Sequence, residues 1–94
     1  MPNPIQHAKD RNRFELEIDG SVAFVDYLDD GQTLALTHTE VPEALRGRGL
    51  AALLVQHALD YARQNRRKVD PQCSYVAKFI DQHPEYADLR KDGA

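Results

Sequence analysis

The apolar residues of this chain change their spacing once, at Pro42, and that change limits the folds open to the sequence. Before Pro42 they alternate with polar residues, which is the period of a half-buried strand. Asp19-Gly20 is typical of a tight type I′ hairpin turn, because both of its central positions need positive φ. Three strands joined by turns are therefore predicted, over residues 13–18, 21–28 and 33–41.

Beyond Pro42 the apolar residues recur at helical spacing. The pattern predicts a long helix over residues 49–65, with arginines in its last turn that complement the negative end of the helix dipole. One stripe of this helix is expected to face the core, made of Leu50, Leu53, Leu54, His57, Ala58 and Tyr61.

The last third of the chain predicts a short strand and a second helix. Residues 66–70 are expected to return as a strand beside the third strand. Pro71 limits the length of this strand, because proline cannot donate a hydrogen bond to the neighbouring strand. Ser74 is the expected N-cap of the helix, which stops before Pro84. Tyr75 lies on its apolar stripe, so core packing is the expected role of that side chain. The order is βββαβα, an α+β fold with an antiparallel meander followed by helix, short strand and helix.

The length and composition favour one globular domain over residues 1–94, with the polar first twelve residues only partly ordered and His7 among them solvated. The net charge of −3 argues against a nucleic-acid partner, and the chain contains no apolar run of membrane-spanning length. A single cysteine, Cys73, has no internal disulfide partner. We expect a cytoplasmic protein with no membrane partner, and the oligomeric state stays open.

The segment RGRGLA, residues 46–51, joins the end of a strand to the start of a helix. Glycines at positions 47 and 49 let the backbone approach a ligand, and the first free N–H groups of a helix favour an anion. A diphosphate is the expected guest. A P-loop is excluded because its Lys-Ser/Thr pair is absent, and a dinucleotide-binding fingerprint would need a parallel βαβ unit in place of three hairpin-linked strands.

The same segment resembles the Q/RxxGxG/A loop of the GNAT superfamily of acyl-CoA-dependent N-acetyltransferases, and the likeness extends through VPEALRGRGLAALLVQHALDYAR. LTHTEVP, PQCSYV and HPEY are similar to the short YjdJ-like branch. The resemblance implies a GNAT-like fold and acetyl-CoA as co-substrate. It implies that Val41 ends the strand along the pantetheine arm and that the diphosphate lies on Arg46, Gly47, Arg48, Gly49, Leu50 and Ala51. Full-length members carry further elements, so an open acceptor side is expected.

Acetyl transfer needs a base for the amine and a proton for the leaving thiolate. Glu40 and His38 share a strand face with Leu34 and Leu36 if the alternation continues, and either residue is a candidate base. The competing interpretation is an interior histidine and a glutamate paired with an arginine.

Cys73 lies just before the second helix, where a thiol tends toward thiolate. It is a candidate nucleophile for a covalent route, a lining residue of the pantetheine channel, or a small buried hydrophobe. Tyr75 is a candidate acid for the leaving thiolate. We slightly prefer direct attack assisted by Glu40.

Two functions therefore stay open: an N-acetyltransferase acting on an amine acceptor that the sequence does not identify, and a non-catalytic acyl-CoA-binding or protein-interaction module. No metal is expected, because the histidines lack ligand spacing. The basic cluster over residues 63–68 is either a solvated helix end or a partner for the 3′-phosphate of coenzyme A.

Overall fold

A computed structural model describes residues 5–91 of the chain. Its strands and helices are β1 Gln6–Ala8, β2 Arg13–Ile18, β3 Ser21–Asp29, β4 Thr33–Glu40, α1 Leu50–Gln64, β5 Lys68–Pro71 and α2 Ser74–Gln82. A 3₁₀ segment, Pro84–Leu89, follows α2. The strands form one five-stranded sheet in chain order, antiparallel except for the parallel pair β4 and β5. The predicted α+β fold is confirmed, with β1 as an additional strand.

The β2–β3 hairpin turns at Asp19-Gly20, where both residues have positive φ, 51° and 81°. The expected type I′ geometry is therefore confirmed, and it matches the right-handed twist of the two strands. Ser21 pairs with Ile18 and Asp26 with Arg13, so the hairpin runs without a break in register.

Both helices pack on one face of the sheet and leave the other face, here called the open face, without a covering element in the described part of the chain. The buried side chains form one core, and the most enclosed of them are Phe14, Leu16, Leu34, Leu36, Leu54, Leu59, Val25, Val55, Val69 and Val76. Alternation along β2 and β3 buries every second residue, as the period of two predicts.

The buried sector of α1 differs from the predicted stripe. Leu53 is 44 % exposed and His57 is exposed, whereas Val55, Leu59 and Ala62 are fully buried. The helix contacts α2 and the segment Pro84–Leu89 as well as the sheet, so its apolar sector is wider and rotated away from Leu53. Periodicity alone could not register this second contact.

The second helix begins and ends close to the predicted positions. Its N-cap residue is Cys73, not Ser74, and His83 ends it just before Pro84. Val76, Phe79 and Ile80 are buried as predicted, but Tyr75 is 40 % exposed, so the expected core role of Tyr75 is wrong. The tyrosine lies outside the sector of α2 that contacts the sheet and α1.

The N-terminal strand β1 is attached through His7, which we expected to be solvated. Residues 1–4 lie outside the described residues, whereas Gln6–Ala8 pair with β2. The His7 ring stacks on Phe14 at 4.2 Å between centroids, and its Nε2 lies 2.6 Å from the Tyr27 hydroxyl. Burial, with Lys9 and His57 as lesser contributors, lowers the pKa of His7. Within residues 5–91, neither helix is long and apolar enough to cross a membrane.

Candidate functional site

A gap opens between the two parallel strands at the edge of the sheet. The pairing of β4 with β5 ends at Leu36 and Pro71. One further hydrogen bond, from the Cys73 N–H to the Leu36 carbonyl at 3.0 Å, joins the chains at that point. Beyond it β4 continues to Glu40 beside β3, while the chain after β5 turns into α2. The polar groups of β4 along this gap are thus placed to receive an extended ligand.

A β-bulge in β4 changes which side chains face the gap. Asp26 of β3 is opposite His38, but the next residue, Tyr27, is opposite Leu36, so Thr37 is the extra residue. An inserted residue reverses the faces of all residues beyond it. The expectation that His38 and Glu40 share a face with Leu34 and Leu36 is therefore wrong.

His38 and Glu40 lie on the open face, opposite Asp26 and Phe24. His38 Nε2 is 3.1 Å from Glu40 Oε2, and the two side chains are 58 % and 48 % exposed. Neither competing interpretation holds, since the histidine is not interior and the glutamate pairs with it rather than with an arginine. The exposed pair offers a carboxylate and an imidazole to solvent-borne molecules on that face.

Thr39 takes the place on the helix side that His38 and Glu40 were expected to occupy. It is opposite Val25, which is fully buried, and its Oγ1 lies 3.6 Å from the Cys73 Sγ. Sequence reasoning missed Thr39 because nothing in the alternation of β4 signals the bulge that turns it inward.

The environment of Cys73 lowers the pKa of its thiol. Burial raises the pKa of the thiol, but the Thr39 hydroxyl and the backbone N–H groups of Val76 and Tyr75 together outweigh it, so the pKa is lowered. These N–H groups are free because Cys73 stands at the start of α2, whose first amides have no partner inside the helix. Hydrogen-bond donors that converge on one sulfur stabilise its charged form.

The glycine loop follows β4 and leads into α1. Leu45 is 2 % exposed and anchors the loop, while residues 46–49 are exposed. Gly47 and Gly49 have φ of 84° and 73°, and a Cβ added at either would meet no atom within 4 Å. Left-handed backbone, not space, is therefore what calls for glycine at both positions.

The N-terminus of α1 carries no side-chain cap. Gly49 is its N-cap residue and its carbonyl accepts the first helical hydrogen bond, from Leu53 at 3.2 Å. The N–H groups of Leu50 and Ala51 accordingly point out of the helix end, where the dipole is positive. Arg46 lies beside Val41, with its Nε donating to the Val41 carbonyl at 3.2 Å. The loop thus places backbone hydrogen-bond donors and a positively charged arginine at the end of β4 that borders the gap.

Tyr75 is the predicted site residue with the weakest geometric support. It lines a cavity of about 240 Å³ with Lys78, Phe79 and Gln82, all on α2. Its backbone N–H, rather than its hydroxyl, is the group that contributes to the lowered pKa of Cys73. The cavity lining includes neither Cys73 nor Glu40.

The basic cluster lies at the far end of α1. The helix has 15 residues, so Arg66 is about 20 Å along the axis from the glycine loop at 1.5 Å per residue. The 3′-phosphate of coenzyme A is separated from its diphosphate by a single ribose, which is much shorter than this distance. The cluster therefore does not serve that phosphate when the diphosphate lies on residues 46–51.

A parallel strand pair that separates beside a glycine loop, with an uncapped helix end behind it, is the arrangement of the acyl-CoA-dependent acetyltransferase fold that the sequence resembles. The sequence profile of the GCN5-related N-acetyltransferase family matches residues 13–89. The chain belongs to the GCN5-related N-acetyltransferase family.

Curated relatives and a solved structure agree with this family. Protein NATD1 of Danio rerio is 36 % identical over 88 residues, covering 87 % of this chain and 79 % of its own. Protein NATD1 of Homo sapiens is 32 % identical over 87 residues, covering 88 % and 76 %. A GCN5-like protein from Staphylococcus aureus, solved by NMR, superposes with a TM-score of 0.74 at 24 % identity over 94 % of this chain and 87 % of that one. This last likeness establishes the fold.

Proposed function

We propose that this protein binds acetyl-CoA along the gap between β4 and β5 and transfers the acetyl group to an amine. One observation carries the proposal: three features lie together at one end of β4. They are an open strand edge, two glycines in left-handed conformation and a helix N-terminus without a side-chain cap. Assignment to the short YjdJ-like branch stays a prediction.

The diphosphate is assigned to residues 46–51. The N–H groups of Leu50 and Ala51 and the positive end of the α1 dipole supply fixed donors, and Arg46 and Arg48 add charge. Val41 stands next to Arg46 at the end of β4, so the pantetheine arm can run from the loop along the free edge of that strand. The thioester then lies near the point where β4 and β5 separate.

Glu40 is our proposed base, with His38 as its partner. An attacking amine must lose a proton, and the Glu40 carboxylate, directly or through water, is placed on the open face to accept it. His38 is hydrogen-bonded to that carboxylate and can pass the proton on to solvent. As the new C–N bond forms, the C–S bond of the thioester breaks and the leaving thiolate takes up a proton.

A covalent route through Cys73 is the second arrangement that the geometry supports. Here the Cys73 thiolate attacks the thioester carbonyl, the C–S bond to coenzyme A breaks, and an acetyl-Cys73 thioester forms while coenzyme A leaves as the thiol. An amine then attacks the acetyl-Cys73 carbonyl and restores the thiol. The support is the lowered pKa of Cys73, with Thr39 and the α2 amides around its sulfur. The role of Tyr75 as the acid for the leaving thiolate stays a prediction.

The alternative is a non-catalytic acyl-CoA-binding or protein-interaction module. The observation that favours it is the open face, where His38 and Glu40 are about half exposed and no described element encloses an acceptor. In that case coenzyme A binds to the loop but no amine is consumed.

The test combines binding with turnover. Calorimetry at moderate salt should show saturable binding of acetyl-CoA, and thiol release should depend on an added amine from a panel of small amines and peptides. Glu40→Gln should lower turnover with little change in acetyl-CoA affinity. Binding without amine-dependent thiol release across the panel would favour the non-catalytic module, and no binding would refute both the transferase and the acyl-CoA-binding module.

Mass spectrometry separates the two chemical routes. After incubation with acetyl-CoA alone, the covalent route predicts a protein adduct of one acetyl group that Cys73→Ser abolishes. Absence of any adduct in the native protein, together with full activity of Cys73→Ser, would exclude that route and leave Glu40-assisted direct attack.

A further inference from the structure

A cationic cavity lies at the C-terminal end of α1, about 20 Å from the glycine loop. It has a volume of about 310 Å³ and is lined by Arg63, Arg66, Arg67, Lys68, Asp88 and Leu89. This volume is at the lower limit for pockets that hold small molecules. Neither proposed route of acetyl transfer uses any of these residues.

Three of the four cations are held in fixed positions. Arg63 makes a bidentate pair with the Asp88 carboxylate at 2.9 and 3.0 Å. Lys68 donates to the Asp88 carbonyl at 2.7 Å, and Arg67 Nε donates to Asp29 Oδ1 at 2.8 Å. Four positive charges are thus paired with only two carboxylates, those of Asp88 and Asp29. The cavity therefore has a net positive charge, although the net charge of the chain is −3.

Arg66 differs from the other three cations. Within residues 5–91 its side chain has no hydrogen bond or ion pair, and its φ is 57°. The Arg67 N–H donates to the Ala62 carbonyl at 2.8 Å and the Arg66 N–H to the Arg63 carbonyl at 3.2 Å, so the helix ends in a Schellman motif. Arg66 occupies the left-handed position of that motif, where glycine is the usual residue because it has no Cβ.

The helix dipole does not account for a strained arginine. Cations near a helix C-terminus are favourable, but Arg63 and Arg67 already provide them without positive φ. An unfavourable backbone conformation that places a free guanidinium beside three fixed cations points to a ligand for that guanidinium.

We propose that this cavity binds the phosphate group of a small phosphorylated molecule, with Arg66 closing on the anion. A phosphate dianion takes several donors at once, and guanidinium groups match its geometry with paired N–H bonds. Leu89 supplies an apolar wall for the carbon part of the ligand. This site is separate from the proposed diphosphate loop and goes beyond the proposed transfer reaction.

Arg66→Gly is the decisive variant, because it should stabilise the fold and abolish the site together. Glycine relieves the left-handed strain, so the melting temperature should rise. Amide spectra of the protein titrated with inorganic phosphate, against sodium chloride of equal ionic strength, should show saturable shifts around Arg66 and Lys68. In Arg66→Gly the affinity at these amides should fall at least tenfold. Lys78→Ala, which removes one charge from α2, should leave it unchanged.

The same spectra separate this site from the loop. Shifts at Gly47 and Gly49 report the proposed diphosphate site, and Arg66→Gly should keep its affinity for acetyl-CoA. Ribose 5-phosphate should bind the cavity at least as tightly as inorganic phosphate. Chloride that reproduces the shifts, equal weakening by Lys78→Ala, native affinity in Arg66→Gly, or failure of ribose 5-phosphate to bind would each overturn the proposal, whatever the outcome at the loop.

Discussion

Substituting Gly49 by alanine tests whether the shape of the glycine loop is what holds coenzyme A. The φ of Gly49 is 73°, and the added Cβ has no neighbour within 4 Å, so left-handed strain is the only direct cost. That strain is about 1–2 kcal/mol for an L-residue with a side chain. Gly31, with φ of 92° and equally open space, provides a matched control at the opposite end of β4.

The two variants should distribute the same backbone strain energy differently between folding and coenzyme A binding. In Gly31→Ala the whole 1–2 kcal/mol should appear as a lower free energy of unfolding, with unchanged affinity for coenzyme A. In Gly49→Ala the exposed loop can relax when empty, and the bound state must restore its shape. The loss of unfolding free energy and the loss of binding free energy should then add up to about 1–2 kcal/mol. If all of it falls on binding, the affinity drops roughly 5- to 30-fold.

The measurements are urea unfolding and calorimetric titration with coenzyme A for both variants. Both substitutions also stiffen the unfolded chain, which offsets part of the measured loss of unfolding free energy by the same amount in each variant and cancels in the difference between them. The reasoning is refuted if Gly49→Ala keeps both native stability and native affinity, or if Gly31→Ala weakens binding as much as Gly49→Ala does.

Three further predictions concern the thiol, the N-terminal strand and the core. Thr39→Val should raise the pKa of Cys73 and slow its alkylation by iodoacetamide near neutral pH, whereas Thr39→Ser should restore the native rate profile; equal profiles for both variants would remove Thr39 from the thiol's environment. The lowered pKa of His7 means that the unfolded chain binds more protons, so the free energy of unfolding should fall as the pH decreases through 6.5, and this dependence should be weaker in His7→Phe. Leu54→Ala should cost about 2–5 kcal/mol in urea unfolding, because Leu54 is fully buried, while its exposed neighbour Leu53 should tolerate alanine within about 0.5 kcal/mol; similar losses at both positions would contradict the observed orientation of α1.

The elements and the loop were predictable because their signals are local. Strand alternation, the Asp19-Gly20 turn and the glycines at positions 47 and 49 each depend on a few neighbouring residues, and the predicted α+β order agrees with the structure from β2 onward. The predicted start of the long helix at residue 49 lies one residue before the observed start of α1 at Leu50.

The faces of β4 and α1 were not predictable, because distant contacts decide them. Thr37 becomes a bulge through its pairing with β3, and Val55 is buried because elements from the last quarter of the chain cover α1. His7 was expected to be solvated, yet its ring stacks on Phe14. Neither the sequence of the first twelve residues nor their composition indicates this contact. The spacing of apolar residues indicates one buried face of an element. Each of these residues is placed by a contact with a further element that the spacing does not indicate.

The bulge at Thr37 divides the proposed chemistry between the two sides of β4. Glu40 and His38 lie on the open face, whereas Thr39 and Cys73 meet on the helix side of the same strand end. A base on the open face can act only on an amine that arrives from that side. In the proposed arrangement, a thiolate on the helix side would reach the thioester from within the gap. The two groups are therefore not interchangeable, and a covalent route would use them in succession, with Cys73 accepting the acetyl group and Glu40 deprotonating the amine that removes it.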